Sequence, residues 1–145
     1  MRIMSPLEQE LERYLDLSVL EQKITAENMA NVDTPGYRTL GFDFADAMRR
    51  SVEGLNEERE EEHQRLTAKL EGGGSELDAK VPMLPVSSAV EVHRIGGLLA
   101  RPDGNDVSVD REGLKMAEAQ LQFQVGEQLL KQQFTEINDA IHTAD

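Results

Sequence analysis

Apolar residues recur at helical spacing over two long stretches, one towards each end of the chain. In the first, Leu7, Leu11 and Tyr14 share one stripe. Leu15, Val19, Ala26 and Met29 form a second, and Leu17, Leu20 and Ile24 a third. Ser5-Pro6-Leu7-Glu8 opens this stretch as a capping box, with Ser5 as N-cap, Pro6 at the first helical position and Glu8 placed to reach back. The pattern predicts a helix from Pro6 to about Asn31, roughly 38 Å long. In the second stretch, Met116, Ala119, Phe123, Leu130, Ile137 and Ala140 keep heptad spacing, interrupted by Gly126 and Gln133. Leu114, Ala117, Leu121, Val125 and Leu129 run beside them, and Phe134 and Ile141 widen the apolar surface near the end. Ser108 or Asp110 caps this helix, expected from about Arg111 to Ile141 and roughly 45 Å long.

The first helix runs into a sharp stop. Pro35 supplies no backbone N–H, and it pushes Thr34 towards extended geometry. Thr34-Pro35-Gly36-Tyr37 suits a type II turn, with Gly36 supplying the positive φ. Asn28, Asn31 and Asp33 can cap orphan carbonyls or nearby amides.

The middle carries weaker signals. Phe42 and Phe44 alternate with Asp43 as an extended piece, or open a short helix through Met48. Ser51 to Glu71 is dense in glutamate and reads either as an exposed helix with pairs such as Glu61 to Arg65, or as disordered in isolation. Gly72-Gly73-Gly74-Ser75 is a flexible break. Ala89-Val90-Glu91-Val92-His93 alternates weakly as a strand, while Pro82 and Pro85 argue against a central one. Pro102-Asp103-Gly104-Asn105 is a turn.

The fold class that follows is mostly α. Long N- and C-terminal helices are expected, with a small irregular or β-containing insert between them. The expected segments are 1–50, 51–101 and 102–145. A lone surface helix needs one apolar stripe. An antiparallel pair buries one stripe from each helix and leaves the others open, which predicts self-association or heteroassembly.

Composition narrows the partners. The 145 residues carry a net charge of −13, so nothing resembles a nucleic-acid footprint, and anionic membranes would repel the chain. There is no cysteine, hence no disulfide, thiolate metal site or thiol nucleophile. No apolar run approaches the ~20 residues of a membrane span. The polar start, without an apolar h-region, gives no cleavable secretion signal, so composition alone places the chain in the cytosol.

No catalytic grouping emerges. His63, His93 and His142 sit in three segments without ligand spacing. Asp103-Gly104-Asn105-Asp106 fails as a calcium loop, because Ser108 stands where the sixth position needs Gly and Leu114 where the twelfth needs Glu. The Gly72–Gly74 run lacks the strand and the Lys of a phosphate loop. Asp43 and Asp46 read as solvated groups or helix caps rather than paired acids. No cofactor, metal or enzymatic activity is expected.

One run exceeds what a helix stop requires. Asn28-Met29-Ala30-Asn31-Val32-Asp33-Thr34-Pro35-Gly36-Tyr37 resembles the N-terminal signature of bacterial flagellar axial proteins. Phe42-Asp43-Phe44-Ala45-Asp46-Ala47-Met48 and Asp103 to Glu112 resemble segments of the basal-body rod members of that family, at the proximal end of the rod. The resemblance covers both ends of the chain and not the middle. It implies that the N- and C-terminal helices pair as an antiparallel coiled coil, in a structural subunit that packs with its own copies into a helical tube that transmits torque and surrounds the export channel. It also implies other rod subunits, the basal-body adaptor FliE and the flagellar export gate as partners. Export by the flagellar type III system would place the chain in the basal body, in the periplasmic space. The assembly residues expected are Leu15, Leu20, Ile24, Asn28, Asn31, Thr34, Pro35, Gly36, Tyr37, Leu121, Phe123, Leu130, Phe134 and Ile137. A soluble acidic helical adaptor or export chaperone shares the apolar helices and the charge, but would not need the run from Asn28 to Tyr37. Another rod protein of the same family is the remaining alternative.

Overall fold

The computed structural model describes residues 5–72 and 90–142. Three helices dominate: α1 (Pro6–Ala30), α2 (Phe44–Gly72) and α3 (Val109–His142). Two short strands, β1 (Leu40–Gly41) and β2 (His93–Arg94), pair antiparallel.

The capping box forms as expected. Glu8 N–H donates to Ser5 Oγ at 3.2 Å, and Ser5 N–H donates to Glu8 Oε2 at 2.6 Å. Helix α3 begins two residues earlier than expected, because Ser108 takes the cap. Its Oγ accepts from Arg111 N–H at 3.5 Å and its carbonyl from Glu112 N–H at 2.9 Å.

Helices α1 and α3 pair antiparallel. Asn28 meets Glu112, Gln22 meets Ala119, and Leu15 meets Gly126, so the contacts step by about one heptad on each helix. Gly126, which looks in the sequence like a break in the heptad pattern, is the point of close approach. A Cβ there would lie 2.8 Å from Leu15 Cδ2 and 3.0 Å from Tyr14 Cδ1. Helix α3 has 34 residues against 25 in α1, an overhang of about 13 Å. Continued in the same register, α1 ends near the level of Phe134. Phe134, Ile137 and Ile141 are accordingly exposed, although they share the face that packs on α1.

The insert contains more regular structure than its sequence promised. The two readings of Phe42 to Met48 and the two of Ser51 to Glu71 resolve into one continuous helix of 29 residues, α2. Asp43 Oδ1 accepts from Asp46 N–H at 2.8 Å and caps its start. Leu17 and Ala47 form the core between α1 and α2, surrounded by Phe42, Phe44, Met48 and Val90. Tyr14 packs edge-on against Phe44 with ring centroids 5.5 Å apart. Further along, Arg59 reaches Glu10 at 3.7 Å. Beyond it Glu60 to Arg65 are exposed, and the expected Glu61–Arg65 pair is present at 3.4 Å.

The strand expected over Ala89 to His93 is displaced. The ladder uses His93 and Arg94, which pair with Gly41 and Leu40 rather than closing a local hairpin. Ile95 N–H extends it to the Thr39 carbonyl at 2.9 Å. Gly73, Gly74 and Ser75, with Pro82 and Pro85, lie outside the described residues.

Candidate functional site

The end of α1, the turn after it and the start of α3 meet in a buried polar junction. Asn28 is its hub and is 1% exposed. Its Nδ2 donates to the Leu40 carbonyl at 2.8 Å and to Glu112 Oε2 at 2.9 Å. Its Oδ1 accepts from Leu40 N–H at 2.9 Å and from the Tyr37 hydroxyl at 3.2 Å. Two donors and two acceptors are the whole capacity of a carboxamide, and here all are used. Burial raises the Tyr37 hydroxyl above its ordinary pKa, and the Glu27 and Glu112 carboxylates add to the effect, so the phenol keeps the proton it donates.

Asn105, fully buried, closes the helix end. Its Nδ2 donates to the carbonyls of Asn31, Val32 and Thr34 at 2.9, 3.1 and 2.8 Å, and its Oδ1 accepts from Val107 N–H at 2.8 Å. Backbone groups that a stopped helix leaves orphaned are thus satisfied from the far end of the chain. Asn31 also caps locally, with Nδ2 donating to the Glu27 carbonyl at 2.9 Å. Asp33 stays exposed, 3.9 Å from Arg101.

The turn forms as expected. Tyr37 N–H donates to the Thr34 carbonyl at 3.2 Å, and Gly36 has a φ of 74°. A Cβ on Gly36 would touch nothing, so its requirement is the left-handed backbone and not space. Gly36 N–H reaches across to the Asp103 carbonyl at 2.9 Å.

Charges lock the outer side of the junction. Asp106 Oδ1 accepts from Thr39 N–H at 2.7 Å and from Thr39 Oγ1 at 2.8 Å, while its Oδ2 meets Arg38 at 3.1 Å. Burial alone would raise the Asp106 pKa. The Thr39 hydrogen bonds and the Arg38 guanidinium outweigh it, and the net shift is downward. Glu112 is fully buried, and Arg111 compensates it through Nε at 3.2 Å. The same guanidinium donates through Nη2 to Thr39 Oγ1 at 3.2 Å and to the Asp106 carbonyl at 3.1 Å. Each of these contacts fixes the geometry of the junction.

The expected assembly residues fall into three groups. Asn28, Asn31, Thr34, Pro35, Gly36 and Tyr37 gather at the junction, where Asn28 is buried and Thr34, Pro35 and Gly36 face solvent. Leu15, Leu20 and Ile24 lie on α1, half-buried or buried, and Phe123 and Leu130 are half-buried on the face of α3 that carries Ala119 and Gly126. Leu121 lies on the opposite face of α3 and is 63% exposed, while Phe134 and Ile137 are exposed on the overhang. Thr39, Asn105, Asp106, Arg111 and Glu112 were not among the expected residues. The only signal for the last four was their place in the segment Asp103 to Glu112.

Glu21 adds one unsatisfied feature to the α1–α3 interface: its Oε2 is buried with no hydrogen-bond partner. Burial raises its pKa and Glu118 raises it further, against the opposing pull of Lys115. Among the described residues, no group of three or more His, Asp or Glu could hold a metal ion, and no helix is long and apolar enough to cross a membrane.

Known proteins match over most of this length. The flagellar basal body rod protein FlgB of Salmonella typhimurium is 33% identical over 117 residues, which cover 77% of this chain and 75% of the relative. FlgB of Escherichia coli is 29% identical over 111 residues, with the same two shares of 77% and 75%. FlgB of Borrelia hermsii is 25% identical over 131 residues, 89% of this chain and 90% of the relative. No family model matches. A 33% identity over three quarters of both chains decides the assignment, and the chain belongs to the flagellar basal body rod protein FlgB family.

Proposed function

We propose that this protein is a structural subunit of the proximal flagellar rod, and that its work is mechanical. The observation that carries the reading is the outer face of α3. Leu114, Leu121, Val125 and Leu129 are 71%, 63%, 51% and 48% exposed along a helix whose other face is spent on α1. A contiguous apolar face of this kind marks a protein interface. Heterologous contacts through it, repeated with a rotation that does not close, build an open helical tube.

Each part then has a task. The buried junction keeps α1, the turn and α3 in one rigid unit, so that torque passes through fixed geometry. The exposed Thr34-Pro35-Gly36 turn and the overhang at Phe134 and Ile137 contact neighbouring subunits. Glu57, Glu60, Glu61 and Glu62 of α2 face outward, where their charge is solvated. Other rod subunits, the FliE adaptor and the export gate are the partners, and the site of action is the basal body in the periplasm, reached by flagellar type III export.

The test is a Leu121→Asp variant expressed in place of the wild-type copy in a flagellated cell. The expected result is a folded protein that is missing from isolated basal bodies, in cells that do not swim. Normal motility with the variant present in the rods would overturn the reading.

A further inference from the structure

We propose that Glu21 makes the pairing of α1 with α3 depend on protons: the helices close best with Glu21 neutral, so mild acid favours the paired state and a rise in pH loosens it. The device acts wherever the two helices pair, in the free chain or in a rod, and it does not depend on the rod reading. Its basis is where Glu21 stands. Gln22 and Ala119 touch across the interface at 3.3 Å, so Glu21 and Glu118 flank the same step of the pairing. Glu21 is half-buried, and its Oε2 is enclosed with no hydrogen-bond partner. The residue lines a crevice of about 10 Å³ together with Ile24, Thr25, Leu40, Gly41, Phe42 and Lys115. Such a crevice has room for about one water, whereas an ionised carboxylate accepts about four hydrogen bonds. Ionised, Glu21 is an acceptor with no donor on its inner side; neutral, it has no charge to desolvate.

The charged and titratable groups around it come from two helices. Glu118 of α3, itself exposed, repels the Glu21 charge, while Lys115 attracts it. On α1, Tyr14 lies two turns before Glu21, and burial and that carboxylate both hold the proton on its hydroxyl. The β1 side brings Leu40, Gly41 and Phe42, none of them charged, and among the described residues α2 and β2 line no part of the crevice. Burial and Glu118 together outweigh Lys115, so in the paired state the Glu21 pKa lies above its ordinary value of 4.5. The paired state thus binds a proton that the unpaired chain has released. The gain is complete below about pH 4.5 and is lost as pH rises through the higher paired-state value. Asp106 has the opposite sense and acts lower on the pH scale.

Circular dichroism of the full chain reads the pairing along a urea series, extended with sucrose to favour compact states where the free chain is unpaired in buffer. Glu21→Gln removes the titrating group and keeps the shape. Between about pH 7.5 and about pH 5, the ratio of paired to unpaired wild-type chains should rise at least about twofold more than in this variant. Near pH 7.5 the variant should itself be paired at least about twofold more than wild type. Glu118→Gln should shrink the wild-type pH response by removing the repelling charge, and Lys115→Met should widen it. A Glu21→Gln chain no more paired than wild type near pH 7.5 overturns the inference, because the carboxylate would then be satisfied where it stands. So does a wild-type pH response equal to that of Glu21→Gln, which would mean that acid acts only by relieving the general charge of −13. Leu121→Asp remains the test of the rod reading, and the two outcomes are independent.

Discussion

Replacing Asn28 by aspartate changes one NH2 group to oxygen and should cripple the junction. The variant keeps an oxygen to accept from Leu40 N–H and Tyr37. It loses both donors, to the Leu40 carbonyl and to Glu112. Two lost hydrogen bonds in a buried site cost about 2 kcal/mol. The new carboxylate also stands where Nδ2 lay 2.9 Å from Glu112 Oε2. Like charges at that distance repel by several kcal/mol even at an effective dielectric constant of about 20, less what Arg111 offsets. The sum is a loss of about 3–5 kcal/mol near pH 7. Because the two carboxyls would share a proton, their folded-state pKa rises, and the loss should shrink as pH falls towards about 5. Asn28→Ala is the control, losing about 3 kcal/mol with no such dependence on pH. Urea unfolding followed by circular dichroism at both pH values measures each deficit. An Asn28→Asp protein within 1 kcal/mol of wild type near pH 7, or one whose deficit is the same at both pH values, would refute the hub role of Asn28.

Two further outcomes follow from the same geometry. Because the folded-state pKa of Asp106 is depressed, its contribution is present above the unfolded value of about 3.9 and is lost as pH falls through the lower folded value. Asp106→Asn should remove that acid limb from a plot of stability against pH, and an unchanged limb would show that Asp106 does not hold Thr39. Gly126→Leu should cost about 3 kcal/mol by prising α3 from Leu15 and Tyr14, read as a lowered melting temperature, and a wild-type value would mean that the helices do not touch there.

What could be seen in the chain beforehand was what neighbours in sequence decide. The capping box at Ser5 and Glu8, the stop at Pro35 and the left-handed Gly36 depend on residues within a few positions of one another, and each appears as expected. The start of α3 was ambiguous because Ser108 and Asp110 are both good caps, and only the fold chooses between them. Helix α2 was split into pieces because its first half leans on Leu17 and Tyr14 of another helix, while the run from Glu57 to Arg65 is almost wholly charged and sets no apolar stripe to announce it. The junction was hardest to foresee. Asn105, Asp106 and Glu112 have the residue types of an ordinary surface loop, and their burial depends on partners elsewhere in the chain. Gly126 was misjudged for a related reason: a missing side chain looks like a gap until the opposing Leu15 is seen to fill it.

The junction also makes the protein sensitive to its own completeness. Residues 105 to 112 hold atoms that lie from 67 to 84 positions earlier in the chain. A chain emerging N-terminus first can wind α1 early, but the carbonyls of Asn31, Val32 and Thr34 gain the amide that gathers all three only when Asn105 arrives. Closing such long loops is slow, and the reward comes only at the end. A fragment cut short before that point keeps an unsealed helix end and an unpaired Asn28, both open to water and to proteases. The lock therefore discriminates molecules that extend past Glu112 from those that end before it, with no separate inspector.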